Sequence, residues 1–258
     1  MADWQPDLYL RFERERTRPA RDLLAAVDLD APRHVVDLGC GPGNSTELLA
    51  ERWPQAEILG IDTSPAMLRA AAERLPRSRF EAGDAATWTP REAPDLIFAN
   101  AVLQWVPNHA ALMPRLFSLL APGGVLAVQM PDNLDEPSHR LMREVAAEPH
   151  FAGILGDALA LRTRLLDLQA YYDLLAPGAA EVEVWRTVYH HPMTTPAAII
   201  EWLSSTGLKP FVEPLPEAER TAFLERYEAA LDAAYPRRAD GQRLLAFPRS
   251  FIAARRLR

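Results

Sequence analysis

A glycine-rich turn near residue 40 holds the residues best suited to bind a ligand. The run VVDLGCGPGNST at 35–46 places Asp37 after an apolar stretch and spaces the next glycines as Gly-x-Gly-x-Gly, at Gly39, Gly41 and Gly43. This pattern predicts a buried strand, a tight turn and the start of a helix. Because glycine has no side chain, the backbone of such a turn can approach a ligand closely.

Two more acidic residues follow later predicted strands and indicate which ligand the turn receives. Asp62 ends the second strand, where a carboxylate can accept hydrogen bonds from both hydroxyls of a ribose. Asp84 follows the third strand, where it can accept from an adenine amino group while Ala85 offers a backbone N–H. Either acid alone serves equally well as a helix N-cap. Together with the turn, they predict an adenosine-containing ligand.

A pyridine dinucleotide is the weaker interpretation of the same turn. The Gly-x-Gly-x-x-Gly fingerprint of dinucleotide sites requires glycine at position 44, where this chain has Asn44. The glycine that packs the helix against the strand is therefore displaced. A nucleotide-dependent oxidoreductase remains an alternative on these residues alone.

The elements that must position these residues alternate between apolar strands and helices, which predicts an α/β, Rossmann-like fold with a largely parallel sheet. The predicted strands are 33–38, 56–61, 78–81, 95–99, 125–130, 181–190 and 244–254, the last broken by Pro248. The predicted helices are 19–27 opened by Pro19, 44–52 capped by Asn44 or Ser45, 65–74 opened by Ser64-Pro65, 110–120, a mostly helical stretch at 135–176, 196–203 and 217–234.

Four segments in order resemble the class I AdoMet-dependent methyltransferases over residues 30–130. They are DLGCGPG at 37–43, Asp62, GDA at 83–85 and LAPGG at 120–124. The resemblance implies a seven-stranded sheet whose last strand is antiparallel, and S-adenosyl-L-methionine as the cofactor. It further implies methionine against the first turn, ribose on Asp62 and adenine between Met67 and the edge formed by Asp84 and Ala85. The complete predicted cofactor set is Asp37, Gly39, Gly41, Asp62, Thr63, Met67, Asp84, Ala85 and Asn100.

Segments through nearly the whole chain resemble a narrower family, the trans-aconitate 2-methyltransferases. They are WQPDLYLRF at 4–12, RPARDLL at 18–24, NAVLQWV at 100–106, QAYYDLL at 169–175, EWLSSTGLKP at 201–210 and LLAFPR at 244–249. The implied reaction is methyl transfer from a sulfonium to a carboxylate oxygen, giving a monomethyl ester. A carboxylate has a pKa near 4 and is already ionised at neutral pH. No general base is needed, so we predict a mechanism by proximity and desolvation without a catalytic residue.

A tricarboxylate acceptor requires cationic or hydrogen-bonding partners for its other carboxylates. The predicted substrate-binding set is Gln104, Trp105, Arg162, Arg164, Tyr171, Tyr172, His190 and Arg249. For Arg162 and Arg164, the alternative to substrate binding is a side chain that faces solvent on a helix. The adjacent tyrosines point about 100° apart on a helix, so at most one of them binds substrate and the other packs in the core. A structural role is the stronger expectation for His190, and Asn100 or Gln104 can orient either the acceptor or the methionine group.

The expected organisation is one class I methyltransferase domain over 1–258. Residues 1–29 form an N-terminal helical cap and 30–132 the AdoMet-binding core. Helical insertions at 133–178 and 193–240 form a lid over the acceptor site, or are simply additional core helices. Methyl transfer to another small acid, a phenol or an amine is an alternative function, and a non-catalytic AdoMet-binding module is another.

The composition limits the binding partners and the cellular compartment that we expect for this protein. The net charge of −7 argues against general binding to nucleic-acid phosphates. A single cysteine, Cys40, excludes an internal disulfide framework, and neither a leader segment nor a membrane-spanning apolar run is apparent. We therefore expect a cytoplasmic enzyme with a small-molecule substrate, no membrane partner and no bound metal, because the pair His190-His191 lacks further ligands at suitable spacing. The oligomeric state is unassigned, a monomer being compatible with the sequence.

Overall fold

Seven strands form one mixed sheet in the computed structural model, which describes residues 13–157, 164–204 and 206–258, with only the backbone described at 13–16. The strands are β1 (His34–Leu38), β2 (Glu57–Asp62), β3 (Arg79–Ala82), β4 (Leu96–Asn100), β5 (Val125–Pro131), β6 (Ala179–Met193) and β7 (Arg243–Arg256). Their order is β3-β2-β1-β4-β5-β7-β6, with β1 to β5 parallel and β7 antiparallel to β5. The predicted α/β sheet with an antiparallel last strand is confirmed.

The helices of the described residues connect and cover these strands. They are α1 (Glu13–Ala25), α2 (Asn44–Arg52), α3 (Pro65–Arg74), α4 (His109–Ser118), α5 (Pro137–Ala146), α6 (Pro149–Leu155), α7 (Leu168–Leu175), α8 (Pro196–Ser204), α9 (Lys209–Val212) and α10 (Glu217–Ala234). Short 3-10 turns at Leu103–Trp105 and Ala176–Gly178 follow β4 and α7. None of the described helices is both long and apolar enough to cross a bilayer.

The chain divides into two compact units. Unit 1 contains the described residues up to Pro131 together with Leu165–Thr187 and Arg249–Arg258, and unit 2 contains the described parts of Asp132–Arg164 and Val188–Pro248. The boundaries differ from those of the predicted insertions, 133–178 and 193–240. Helix α7 belongs to unit 1, because its buried residues Tyr171 and Leu175 join the hydrophobic core of that unit.

One face of the sheet in unit 1 is apolar. Alternate residues of the strands point to this face, as the period of two requires: they include Val36, Leu38, Ile97, Ala99, Leu126, Val128, Met130, Ile252 and Ala254. Helix α4 supplies the opposing side chains, since Leu112, Met113 and Leu116 recur at helical spacing and are buried. Each such side chain contributes about 1.5–3 kcal/mol of hydrophobic stabilisation.

The opposite face carries polar side chains near the carboxyl ends of the strands. The register pairs Asp37 with Phe98, and Asn100, two residues further along β4, pairs with Gln129 of β5. Gln129 pairs in turn with Phe251 of β7. Because paired residues of neighbouring strands share a face, one sheet face collects these polar groups at the edge where α/β proteins bind ligands.

Three local expectations about proline and capping were wrong. Strand β7 continues through Pro248, since its ladder with β5 ends at Arg249 and leaves no β5 hydrogen bond for Pro248 to lose. Pro19 does not open helix α1 but lies inside it, since the described part of the helix already includes Glu13. The residue before α2 is Gly43, with φ of 92° and no side chain to cap the helix; Asn44 and Ser45 lie inside α2, and the Ser45 hydroxyl donates to Asp37.

Candidate functional site

The glycine-rich turn after β1 is held against β2 by backbone hydrogen bonds. The N–H groups of Gly39 and Cys40 both donate to the carbonyl of Ile61, at 2.7 and 3.0 Å. Gly39 has φ of 76°, and a Cβ at this position would lie 2.3 Å from Val102. Gly41 has φ of 53°, and a Cβ there would meet nothing within 4 Å. The turn is therefore packed on one side and open at Gly41, where a ligand can approach the backbone.

Asp37 lies fully buried beneath this turn. Its Oδ2 accepts hydrogen bonds from the hydroxyls of Ser45 at 2.7 Å and Thr46 at 2.6 Å, which fixes the start of α2. Burial raises the pKa of Asp37 to about 6, although the two hydroxyls act in the opposite direction and the charge of Asp62 adds a smaller increase. Its Oδ1 is buried with no hydrogen-bond partner. The carboxylate thus has one oxygen available to a donor group.

Asp62, at the end of β2, connects the turn to the next helix. Its Oδ2 accepts from the Gly41 N–H and its Oδ1 from the Ser64 N–H, both at 2.9 Å. Each oxygen of a carboxylate has two acceptor sites, so one remains on each. The N-cap alternative for Asp62 is wrong, because the hydroxyl of Ser64 caps α3 by accepting from the Met67 N–H. The half-exposed carboxylate is oriented and retains capacity for hydroxyl donors.

The segment after β3 forms a second binding edge. Asp84 is exposed, and its Oδ1 accepts from the Ala86 N–H at 2.8 Å in a turn that opens no helix, so an N-cap role is wrong here too. Ala85 is buried. From α4, Arg115 donates to the carbonyl oxygens of Ala85 and, at 2.8 Å, of Trp88. The sequence analysis missed Arg115; its signal was a single charge in the apolar run AALMPRLFSLL.

The remaining predicted cofactor residues lie near these segments in the chain. Met67 is buried on the first turn of α3, whereas Thr63 is exposed just before that helix. Asn100 ends β4, and its Oδ1 is buried with no hydrogen-bond partner. Residues from the ends of three strands and two following turns therefore belong to one carboxyl edge of the sheet, as the sequence predicted.

The turn after β4 carries two predicted substrate residues. Ala101 has φ of 57°, which is rare without a glycine and bends the chain sharply. Gln104 is buried; its Nε2 donates to the Ala101 carbonyl at 2.6 Å, and its Oε1 has no hydrogen-bond partner. Trp105 is exposed. The free oxygen of Gln104 suits a hydrogen-bond donor rather than an anion.

The buried side chain of His109 links this turn to helix α7 by hydrogen bonds. His109 Nε2 lies 2.9 Å from the carbonyl oxygen of Leu103, which can only accept, so this nitrogen carries a proton. His109 Nδ1 lies 2.5 Å from the hydroxyl of Tyr171, which donates to it in the neutral tautomer. Tyr171 is fully buried in the core, which favours the core interpretation for it over substrate binding. Tyr172 is 46% exposed.

Arg249 is buried at the end of the β5–β7 ladder. It pairs with Pro131, and its Nη1 lies 3.4 Å from Oε1 of Gln129, two residues back along β5. Gln129 was missed by the sequence analysis. Its signal was a polar residue inside the apolar strand VLAVQMP.

Two other predicted substrate residues, Arg164 and His190, belong to unit 2, and both are exposed. Arg164 forms two hydrogen bonds with Asp135, both at 2.9 Å, and this contact raises the pKa of the guanidinium. His190 is exposed on β6, and Arg162 lies outside the described residues. The solvent-facing alternative is thereby favoured for Arg164. Within the described ranges, no three His, Cys, Asp or Glu side chains are grouped to hold a metal ion.

Comparison with known proteins identifies the family. A family model described as a methyltransferase domain matches residues 9–211. The trans-aconitate 2-methyltransferase of Paracidovorax citrulli is 66% identical over 258 residues, and that of Methylobacterium radiotolerans is 65% identical, each match covering 99% of both chains. The chain belongs to the trans-aconitate 2-methyltransferase family. The resemblance inferred from the sequence is confirmed, and the oxidoreductase alternative is wrong for a member of this family.

Solved structures support the fold of this trans-aconitate 2-methyltransferase family member. The YcgJ protein from Bacillus subtilis matches with a TM-score of 0.61 at 12% identity, covering 93% of this chain and 99% of that one. A phosphoethanolamine N-methyltransferase of Haemonchus contortus, solved with S-adenosyl-L-methionine, matches with a TM-score of 0.54 at 18% identity, covering 93% of this chain and 53% of that one. At these identities the likeness is one of fold.

Proposed function

We propose that the chain transfers a methyl group from S-adenosyl-L-methionine to one carboxylate of trans-aconitate, giving a monomethyl ester and S-adenosylhomocysteine. The observation that carries this proposal is the 66% identity, over 99% of both chains, to a trans-aconitate 2-methyltransferase. The candidate site adds a physical reason, since its unpaired polar atoms match both reactants.

The adenosine part of the cofactor fits the residues after β2 and β3. Asp62 has one acceptor site left on each oxygen for the ribose hydroxyls, and backbone N–H donors already hold it in place. Met67 is buried on the first turn of α3, and we assign it to pack against the adenine. Asp84 and Ala85 supply an acceptor and a backbone N–H to the adenine edge, and Thr63 completes the set beside Asp62.

The methionine end of the cofactor fits the acceptor atoms of β1, β4 and the following turn. Three buried oxygens have no hydrogen-bond partner: Asp37 Oδ1, Asn100 Oδ1 and Gln104 Oε1. An ammonium group is a donor of up to three hydrogen bonds and suits such oxygens. We therefore assign Gln104 to the methionine group rather than to the anionic acceptor. When bound, the cofactor supplies an electrophilic methyl group on a positively charged sulfonium.

The protein needs no proton transfer for this reaction, because the acceptor carboxylate is ionised at neutral pH. A carboxylate in water is a poor nucleophile since its solvation shell must be removed. The buried side chains of Gln129 and Arg249 can exclude water and hold the acceptor in line with the methyl group. Trp105 and Tyr172 are exposed and can cover the acceptor, while roles for Arg162, Arg164 and His190 stay predictions.

A product assay tests the proposal directly. The protein is incubated with S-adenosyl-L-methionine and a panel of di- and tricarboxylates, and base-labile methyl esters are sought by mass spectrometry. We expect a monomethyl ester of trans-aconitate and stoichiometric S-adenosylhomocysteine. Product from a phenol or amine panel, with none from any carboxylate, would contradict the proposal and favour the alternative acceptors.

Cellular context belongs to the same proposal. The single cysteine, Cys40, is free and buried, which is compatible with a reducing cytoplasm. The partners we propose are small molecules, with neither nucleic acid nor membrane among them. The lid role of the helical insertions at 133–178 and 193–240 stays a prediction, as does the N-terminal helical cap at 1–29.

A further inference from the structure

Gln129 is a fully buried polar side chain whose donor group has no partner. It lies between Val128 and Met130, which both face the apolar core, so it points to the opposite face of the sheet. Its Oε1 accepts a hydrogen bond from Arg249, and this contact sets the orientation of the amide. Nε2 is then buried with no hydrogen-bond partner. Buried donors are almost always paired in native proteins, so this group requires an explanation.

The neighbours of Gln129 place it at the proposed acceptor site. It pairs across the sheet with Asn100 on β4 and with Phe251 on β7. Trp185 stacks on Phe251 with ring centroids 4.7 Å apart, so aromatic rings lie beside Gln129 on the β7 side. Ala101, which opens the turn carrying Gln104, donates its N–H to the Gln129 carbonyl at 2.8 Å. Gln129 thus adjoins both the turn and the strand that carries Arg249.

The polar atoms on this face are of two opposite kinds. Toward β4, Asn100 Oδ1 and Gln104 Oε1 are unpaired acceptors. Toward β7, Gln129 Nε2 is an unpaired donor next to the Arg249 guanidinium, which has only donors. An ionised carboxylate only accepts hydrogen bonds, and its charge-assisted bonds are the strong ones. The acceptor carboxylate therefore matches the β5–β7 side and not the β4 side.

We propose that Gln129 Nε2 and the Arg249 guanidinium together bind one non-reacting carboxylate of the acceptor. The proposal rests on the proposed function and adds to it a residue that selects anionic acceptors. A neutral amide supplies a donor without a second positive charge. Because the non-reacting carboxylate keeps its charge throughout the reaction, its binding is equal in the ground and transition states and affects KM rather than kcat.

Two substitutions test this role, one that removes the hydrogen-bond donor and one that adds a negative charge. Gln129→Met keeps the length and removes the donor, and Gln129→Glu keeps the shape but places a negative charge beside Arg249. We expect the KM for trans-aconitate to rise about 10–100-fold in Gln129→Met, the range for a hydrogen bond to a charged group, and further in Gln129→Glu. The kcat and the affinity for S-adenosylhomocysteine measured by calorimetry should stay within about twofold.

The split between KM and stability separates carboxylate binding from a structural role. A purely structural role would lower the stability of both variants but leave the KM of the folded enzyme for trans-aconitate within about twofold of wild type. A KM within twofold of wild type in both variants overturns this inference alone, as does a parallel loss of S-adenosylhomocysteine binding. Wild-type protein that methylates no polycarboxylate overturns both this inference and the proposed function. If Gln129→Met fails to fold, the KM of Gln129→Glu decides by the same criteria.

Discussion

At the scale of single residues, two carboxylates of the candidate site hold neighbouring protein groups in place and are also candidates to bind the cofactor. Asp62 holds the Gly41 N–H and the Ser64 N–H, so the turn and the next helix share one anchor. Asp37 holds the hydroxyls of Ser45 and Thr46 at the start of α2. A ligand that donates to either carboxylate meets a group already oriented, which lowers the entropy lost on binding.

Replacing Asp62 tests its proposed contact with ribose. We expect Asp62→Ala to weaken the binding of S-adenosylhomocysteine by about 1–3 kcal/mol, because it leaves ribose hydroxyls and two backbone N–H groups without an acceptor. Asp62→Asn, which keeps one acceptor oxygen, should lose less. Isothermal calorimetry measures both, and equal affinity of wild type and Asp62→Ala would contradict the ribose assignment.

The raised pKa of Asp37 predicts a pH dependence of stability. Its pKa is about 6 in the folded protein against 3.8 for an ordinary aspartate, so the folded state binds the proton more tightly than the unfolded state. Its contribution is fully present below pH 3.8 and is lost as the pH rises through about 6. We expect this loss to be on the order of 1 kcal/mol between about pH 5 and about pH 7.5.

Urea unfolding at those two pH values measures this loss, with Asp37→Asn as the matched control. Asparagine does not titrate, so the difference in unfolding free energy between wild type and Asp37→Asn should change by that amount between the two pH values. A difference that is the same at both would show that Asp37 titrates normally.

At the scale of elements, arginine side chains donate hydrogen bonds to backbone carbonyl oxygens at the end of a helix and in a turn. Arg52 on α2 donates to the carbonyls of Leu24 and, at 2.7 Å, of Val27, at the end of α1. Arg115 does the same for the turn at 85–88. The last carbonyls of a helix have no partner within it. In a chain whose only lysine is Lys209, arginines such as Arg52 and Arg115 therefore have structural roles.

The contact between α4 and α7 gives an element-scale prediction. Removing the hydroxyl in Tyr171→Phe leaves Nδ1 of buried His109 without a donor, which we expect to cost about 1–3 kcal/mol of unfolding free energy. Tyr172→Phe is the matched control, since Tyr172 is 46% exposed and its loss should stay within about 0.5 kcal/mol. Chemical denaturation compares the two, and equal effects would show that the His109–Tyr171 bond contributes nothing net.

At the scale of the whole molecule, the regular parts of the fold followed from the sequence. The strands with apolar cores, such as β4 and β5, lie within two residues of their predicted bounds, because hydrophobic periodicity sets them locally. The rest depended on contacts distant in sequence. Pro248 fits in β7 because the β5 ladder ends beside it. Gly43, rather than Asn44 or Ser45, precedes α2, and the Ser45 hydroxyl donates to Asp37 on β1.

The candidate site divides in the same way. Asp62 and Gly41 could be singled out in the sequence because their types and spacing form a motif, and their roles in cofactor binding stay predictions. Gln129 and Arg115 could not, since their contacts with Arg249 on β7 and with the carbonyls at 85–88 join segments distant in sequence. Tyr171 and Tyr172 were interchangeable in the sequence, and only tertiary packing shows which one is buried.

Of the three arginines predicted to bind substrate, the two that the structure describes differ in exposure, so we expect different effects when each is replaced. Arg249 is buried next to Gln129, whereas the Arg164 side chain is 67% exposed and paired with Asp135. We expect Arg249→Met to raise the KM for trans-aconitate about 10–100-fold. Arg164→Met should change that KM by about twofold at most and stability by at most about 1 kcal/mol. Steady-state kinetics on both variants provide the measurement, and the reverse ranking would restore the original assignment of Arg164.

Along strand β5, Val128 and Met130 face the hydrophobic core, and Gln129 between them faces the proposed substrate site. A shift of β5 by one residue relative to β4 and β7 would turn the Gln129 amide into the hydrophobic core. It would also place Val128 or Met130 on the face of the proposed binding site. Misfolded molecules of that kind would be both unstable and inactive. Correct alignment of this one strand is therefore a shared requirement of folding and of the proposed substrate binding.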